Sequence, residues 1–172
     1  LKVASACLTH RNLLERVKAK KKPVILSTGG STVEQVQRAV EILGTEDLIL
    51  LHCVAMYPPG DSDTNLLIME TLRRMYPSVP VGYSSHSTDV LPAIAAVAMG
   101  AVVIEAHLTL DQSLPGSDHK ASLTPDQFAT MVSDCRRVER LRGDGVKRVL
   151  PGEATTMKKL RRVDDLFPRV GG

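Results

Sequence analysis

Leu-Ile-Leu-Leu-His-Cys, residues 48–53, decides the fold of this chain. Four consecutive aliphatic side chains leave no polar face, so a strand built from them is covered on both sides. Two-sided burial belongs to parallel sheets, whose crossover helices pack over the strands. Histidine and cysteine close the run, which puts side chains capable of chemistry at its carboxyl end. Working outward, the same form recurs at 2–5, 23–27, 79–83 and 101–107. Amphipathic stretches predict helices over 12–20, 33–43, 65–75 and 91–99 between these strands, and a last helix over 125–141. Ser31 with Glu34 fits a capping box at the second helix, and Gly44 follows its last turn. Pro125 suits the first position of the last helix, behind Thr124. A repeat of about 25 residues fits successive βα units, although helical solenoids share that period. Doubly wound sheet and barrel both stay open on pattern alone. From Gly143 the periodicity fades, and 146–172 reads as a linker or tail after a domain over 1–145.

Bulk properties exclude several classes of function. At 172 residues and 43% hydrophobic content, the chain suits one domain with a substantial core. No stretch approaches the roughly 18 apolar residues of a membrane helix, so no membrane partner is expected. The chain begins at Leu1, and Leu-Lys-Val-Ala-Ser reads as strand rather than signal peptide, so a piece of something longer is expected. Cys7, Cys53 and Cys135 are odd in number and lack metal-type spacing, which favours a reduced, cytoplasmic compartment. The net charge of +3 comes with clustered bases, Lys18 to Lys22 and Lys147 to Arg162, yet tryptophan is absent and aromatics make up 3%. Nucleic-acid binding would want aromatic platforms beside those bases, so a solvated face and a basic tail fit better.

Ligands of parallel α/β folds bind outside the carboxyl ends of the strands. The residues there are Lys2 and Ser5, then Ser27, Thr28 and Gly29, then His52 and Tyr57, then Ser84 and His86, then Glu105 and His107. His52 reads equally well as a core histidine bonded to backbone. His86 and His107, one βα unit apart with Glu105 and Asp118 nearby, suit a mixed nitrogen and oxygen site for a divalent ion. Gly29-Gly30-Ser31-Thr32 leads into a helix start, where free N–H groups and hydroxyls suit a phosphate, with Lys2 as a point charge. The segment 114–119 is a turn or a loop folding over the mouth.

At these residues the chain resembles the sialic acid synthase family, the phosphoenolpyruvate-dependent synthases of N-acetylneuraminate and related acids. The matching stretches are 1–5, 22–29, Leu-Leu-His-Cys-Val-Ala-Met-Tyr-Pro (50–58), Val-Gly-Tyr-Ser-Ser-His (81–86), 104–123 and Gly-Asp-Gly-Val-Lys-Arg (143–148). The resemblance implies an α/β fold, a partial (β/α)8 barrel made of about strands four to eight, followed by the start of a linker toward an antifreeze-like domain. It implies condensation of phosphoenolpyruvate with N-acetylmannosamine or a related N-acyl sugar, releasing phosphate, with a divalent manganese or magnesium ion. By resemblance His86 and His107 match metal-binding histidines. Lys2, Ser5, Thr32 and Ser84 match phosphoenolpyruvate contacts, Tyr57 lies on the substrate side, and Glu105 and Asp118 match acidic residues that move protons. A homodimer is implied for the full-length protein.

Four positions depart from the pattern. Aspartate is usual where Ser85 stands, and lysine or arginine where Ala106 stands. A polar residue is common at Ala55, and methionine at Gly30. The first two losses are opposite in sign, so they are either compensating or a mark of a copy that no longer catalyses. A related aldol-type synthase of keto acids and a non-catalytic remnant are the alternatives. Five barrel strands alone leave two open edges, so the isolated chain is expected to be inactive and prone to association.

Overall fold

The computed structural model describes residues 1–161. Contacts divide the chain into a larger unit, Leu1–Arg142, and a smaller one that begins at Gly143. In the larger unit five strands lie side by side in sequence order: β1 (Lys2–Val3), β2 (Val24–Ser27), β3 (Leu48–Cys53), β4 (Val81–Ser85) and β5 (Ile104–Ala106). Every neighbouring pair is parallel. The crossovers are α1 (Arg11–Ala19), α2 (Val33–Leu43), α3 (Asp61–Thr64) with α4 (Ile68–Met75), and α5 (Leu91–Ala98), while α6 (Pro125–Arg142) follows β5. A doubly wound sheet reverses its strand order and takes helices on both faces. An unreversed order with right-handed crossovers keeps all helices on one face. The five strands are therefore an arc of a (β/α)8 barrel, the partial barrel expected from the sequence.

Register sorts the strand residues into two faces. Val3, Leu26, Leu50 and Val81 align across β1 to β4. All four are buried, and they join Leu14, Val36, Val40, Met69 and Leu72 of the helices in one core. Burying each such side chain contributes about 1.5–3 kcal/mol. The alternate positions point the other way: Ser27 aligns with Leu51, and Cys53 with Ser84 and Glu105. That face carries the polar groups, and a complete barrel would turn it inward.

Local details differ from the sequence reading: β5 is shorter than the expected 101–107, and the helix expected over 65–75 begins at Ile68, behind the separate turn α3. The capping box on α2 is Thr32 with Gln35, not Ser31 with Glu34. Gln35 N–H donates to Thr32 Oγ1 at 3.3 Å, and Thr32 N–H donates to Gln35 Oε1 at 2.9 Å. Both pairs have the right spacing, and the helix begins at Val33, as expected, which makes Thr32 the cap. β4 runs two residues further than expected, which brings Ser84 and Ser85 into the sheet. Thr124 and Gln127 cap α6 in the same manner, behind Pro125. The smaller unit holds a helix, α7 (Pro151–Leu160), where a linker was expected. Pro151 starts it and Glu153 reaches back to Leu150 N–H at 2.8 Å. These are terminal signals that require no apolar stripe. The remainder of the expected tail, 162–172, lies outside the described residues.

Candidate active site

One cavity of about 680 Å³ opens at the carboxyl ends of the strands. Most of the residues singled out from the sequence line it, among them Lys2, Ser5, Ser27, Gly29, Tyr57, Ser84, His86, Glu105 and His107. Alternation along the strands explains the gathering. Ser84 and Glu105 are paired neighbours on the polar face, and His86 and His107 each follow two residues later with the same orientation.

The two imidazoles come together, with ring centroids 5.2 Å apart. His86 is buried, and its Nδ1–H donates to the carbonyl of Val54 at 2.7 Å. A carbonyl can only accept, so Nδ1 carries a proton and, in the neutral ring, the lone pair is on Nε2. That arrangement orients a metal-ligating histidine. Tyr57 stacks on the His86 ring at 4.0 Å and meets His107 edge-on at 6.0 Å. Burial, followed by the charges of Cys53, Asp118 and Glu105, holds the Tyr57 phenol above its ordinary range, so it stays protonated.

In the same cavity Glu105 Oε1 accepts from Ser84 Oγ at 2.7 Å and pairs with Lys2 Nζ at 3.3 Å. Ser5 Oγ accepts from Gly29 N–H at 2.9 Å. A lysine, hydroxyls and two imidazoles lining one cavity can seat an anion beside a cation.

Thr32 and Asp118 do not line this cavity. Thr32 borders a neighbouring one, its hydroxyl engaged in the α2 cap. Asp118 is exposed in the segment after β5, where its Oδ1 accepts from Ser117 Oγ at 2.9 Å. That segment is closed at its base, since Thr109 N–H donates to Leu123 O and Leu123 N–H to His107 O. Thr109 Oγ1 and His119 Nδ1 clasp it at 2.7 Å. His52 is the core histidine of its two readings. It points to the helix face, is buried, and donates from Nε2 to Thr64 O at 2.8 Å.

Cys53 was not among the strand-end candidates, while Ser27 and Gly29, which were, take definite roles. Ser27 lines the cavity with a buried hydroxyl that has no partner among the described residues, so it is free for a ligand. Cys53 lies 4.0 Å from His86 Nε2, and burial pushes its thiol up, so it is neutral at physiological pH. Gly29 permits the approach of Ser5, because a Cβ there would lie 2.9 Å from Ser5 Oγ. Counting by twos back from His86 reaches Ser84, and the pairing of Ser84 with Cys53 extends the same face. The register was the missing signal. Ser85 and Ala106, the two departures of opposite sign, face each other across β4 and β5 on the helix side. A paired neutral replacement leaves no lone charge in that layer.

A parallel barrel arc carries two imidazoles, a lysine, an acid and several hydroxyls at one mouth, the place where α/β barrels bind their ligands. The chain belongs to the NeuB family, whose model matches residues 1–147. It is 43% identical over 164 residues to an uncharacterized protein of Methanocaldococcus jannaschii, covering 94% of this chain and 48% of that protein. It is 37% identical over 169 residues to the N,N'-diacetyllegionaminic acid synthase of Legionella pneumophila, covering 94% and 47%. Among solved structures it matches the N-acetylneuraminic acid synthetase of Leptospira borgpetersenii with a TM-score of 0.84 and 35% identity, over 95% of this chain and 59% of that one. The chain thus spans about half the length of the curated relatives it matches. Among the described residues no helix is long and apolar enough to cross a membrane.

Proposed function

We propose that the protein containing this chain is a sugar-acid synthase that joins phosphoenolpyruvate to the aldehyde of N-acetylmannosamine or a related N-acyl sugar. The observation that carries the proposal is the shared cavity, which Lys2, Ser5, Ser27 and Ser84 line together with the His86–His107 pair. The enol carbon of phosphoenolpyruvate bonds to the aldehyde carbon, water adds at C2, and phosphate leaves by C–O cleavage to give the keto acid. Lys2 and the hydroxyls hold the phosphate and carboxylate and orient the enol carbon. Glu105, within the Ser84 and Lys2 contacts, is placed to relay the proton taken up by the new alkoxide or lost by the water.

His86 and His107 are the residues that would hold a divalent ion, and the Nδ1–H tautomer of His86 fits that role. Such an ion supplies Lewis-acid stabilisation of oxygen charge, worth several kcal/mol. Asp118 belongs to the reading only when its segment closes over the mouth. The dimer, the cytoplasmic location and the inactivity of the isolated chain are further parts of it.

The test is phosphate release by the intact protein from phosphoenolpyruvate with a panel of aldehyde sugars. Release that depends on an N-acyl mannosamine supports the proposal. Release only with short aldose phosphates would assign a related keto-acid synthase instead, and none with any aldehyde would leave a non-catalytic protein.

A further inference from the structure

The segment that follows β5 is pinned to itself by one buried hydroxyl. Thr109 is buried, and its Oγ1 donates to Asp111 O at 3.0 Å, accepts from Asp111 N–H at 3.3 Å and meets His119 Nδ1 at 2.7 Å. The hydroxyl has one proton, which goes to Asp111 O, so His119 Nδ1 carries the hydrogen of the third contact. The start of the segment is thus tied to its far end, ten residues on. Gly116 makes room for the ring: its φ is +140°, and a Cβ there would lie 3.1 Å from His119 Cδ2.

Asp118 comes directly before that ring. Its carbonyl accepts from Ser122 Oγ at 2.6 Å and from Ala121 N–H at 3.0 Å. The side chain stays exposed, and its charge bears on the Tyr57 phenol at the mouth of the cavity. A carboxylate on backbone held in this way is set before a ligand arrives. On a loose loop it would surrender conformational entropy on engaging one. Neither Thr109 nor His119 lines the first cavity, so an effect of His119 on a ligand there passes through its neighbour.

We infer that His119 is a positioning residue: clasped by Thr109, it holds Asp118 ready to bind the acceptor sugar, whose hydroxyl and amide N–H groups suit a carboxylate. The inference rests on the synthase reading above and adds a residue to that site. It makes the segment a preformed unit that closes over the mouth without refolding. Loss of the clasp therefore weakens the sugar and spares phosphoenolpyruvate, which Lys2 and the hydroxyls hold.

The experiment measures binding of N-acetylmannosamine and of phosphoenolpyruvate to the intact protein by calorimetry, so that variants without turnover still report. His119→Ala is expected to weaken the sugar at least tenfold and to leave phosphoenolpyruvate within twofold. His119→Asn keeps an N–H where Nδ1–H stands and should return the sugar to within threefold of the parent. Thr109→Val removes the hydroxyl and leaves the ring, so it should reproduce His119→Ala, and it carries the test if His119→Ala does not fold. Because His119 acts through Asp118, adding His119→Ala to Asp118→Asn should cost less than a further twofold. Sugar binding unmoved by loss of the clasp, equal weakening of both ligands, or a full tenfold loss in the Asp118→Asn background would each overturn the inference and leave the synthase reading standing. Hydrogen exchange reads the clasp without any ligand: His119→Ala should speed exchange across 111–122 at least tenfold, and unchanged protection would overturn the inference as well. A parent protein that binds neither ligand would remove the synthase reading itself, and the inference with it.

Discussion

Gly29→Ala tests how tightly the site is assembled. Gly29 is buried at the end of β2, and its N–H donates to Ser5 Oγ at 2.9 Å. An added Cβ would lie 2.9 Å from that oxygen, 3.1 Å from Cys53 Sγ and 3.2 Å from the Cys53 carbonyl. The Ser5 side chain can rotate away, but the carbonyl belongs to the end of a paired strand and yields little. Overpacking of this kind costs about 1–3 kcal/mol, and losing the Ser5 bond adds about 1 kcal/mol. The single variant should therefore lose roughly 2–4 kcal/mol, by addition of those two costs. Ser5→Ala alone should lose about 1 kcal/mol, and the double variant about 1 kcal/mol less than the sum, because one of the three close contacts has gone. Urea unfolding of the intact protein reads these values from the midpoint at constant slope. Strict additivity, or a cost below about 0.5 kcal/mol for Gly29→Ala, would refute this account of the contact.

Two further outcomes follow from the sheet and the core. Gly82→Ala places a Cβ against the Val103 carbonyl and 2.7 Å from Leu51 Cδ2. It should abolish soluble folded protein, and Leu51→Ala should not restore it, because the backbone contact persists; recovery in the double variant would contradict that assignment. Burial holds the His52 pKa below its usual value, against the weaker opposing effect of its bond to Thr64. The unfolded chain then binds the extra proton first, so stability falls as pH drops below about 6.5 and is insensitive to His52 above it. His52→Gln keeps a donor for Thr64 and removes the titration, so its urea midpoint should fall less between pH 7.5 and pH 5 than the parent's. Equal losses would show that His52 is not the proton acceptor.

Much of the fold was legible because its signals are local. The apolar run at 48–51 requires cover on both faces, and Gly44 and Pro125 mark helix ends through backbone chemistry alone. The barrel was not legible from pattern, since strand order is a long-range property that helix and strand periodicities do not encode. The candidate site followed from the same asymmetry. Strand-end polarity identified His86, His107, Glu105 and Ser84, but which face each presents depends on register. Register is what brings Ser27 and Cys53 into the cavity and turns His52 and Ser85 away from it. Thr32 matched by resemblance, while the structure commits its hydroxyl to the α2 cap. The helix α7 was missed because it is written in its terminal residues and not in an amphipathic stripe.

The central claim is that His86 and His107 hold a single cation between them. Titration of the metal-free intact protein with manganese, followed by electron paramagnetic resonance of the free ion, tests it most directly. One ion per chain is expected, with affinity lowered at least tenfold by His86→Ala and equally by His107→Ala. Wild-type affinity in either variant would contradict the claim.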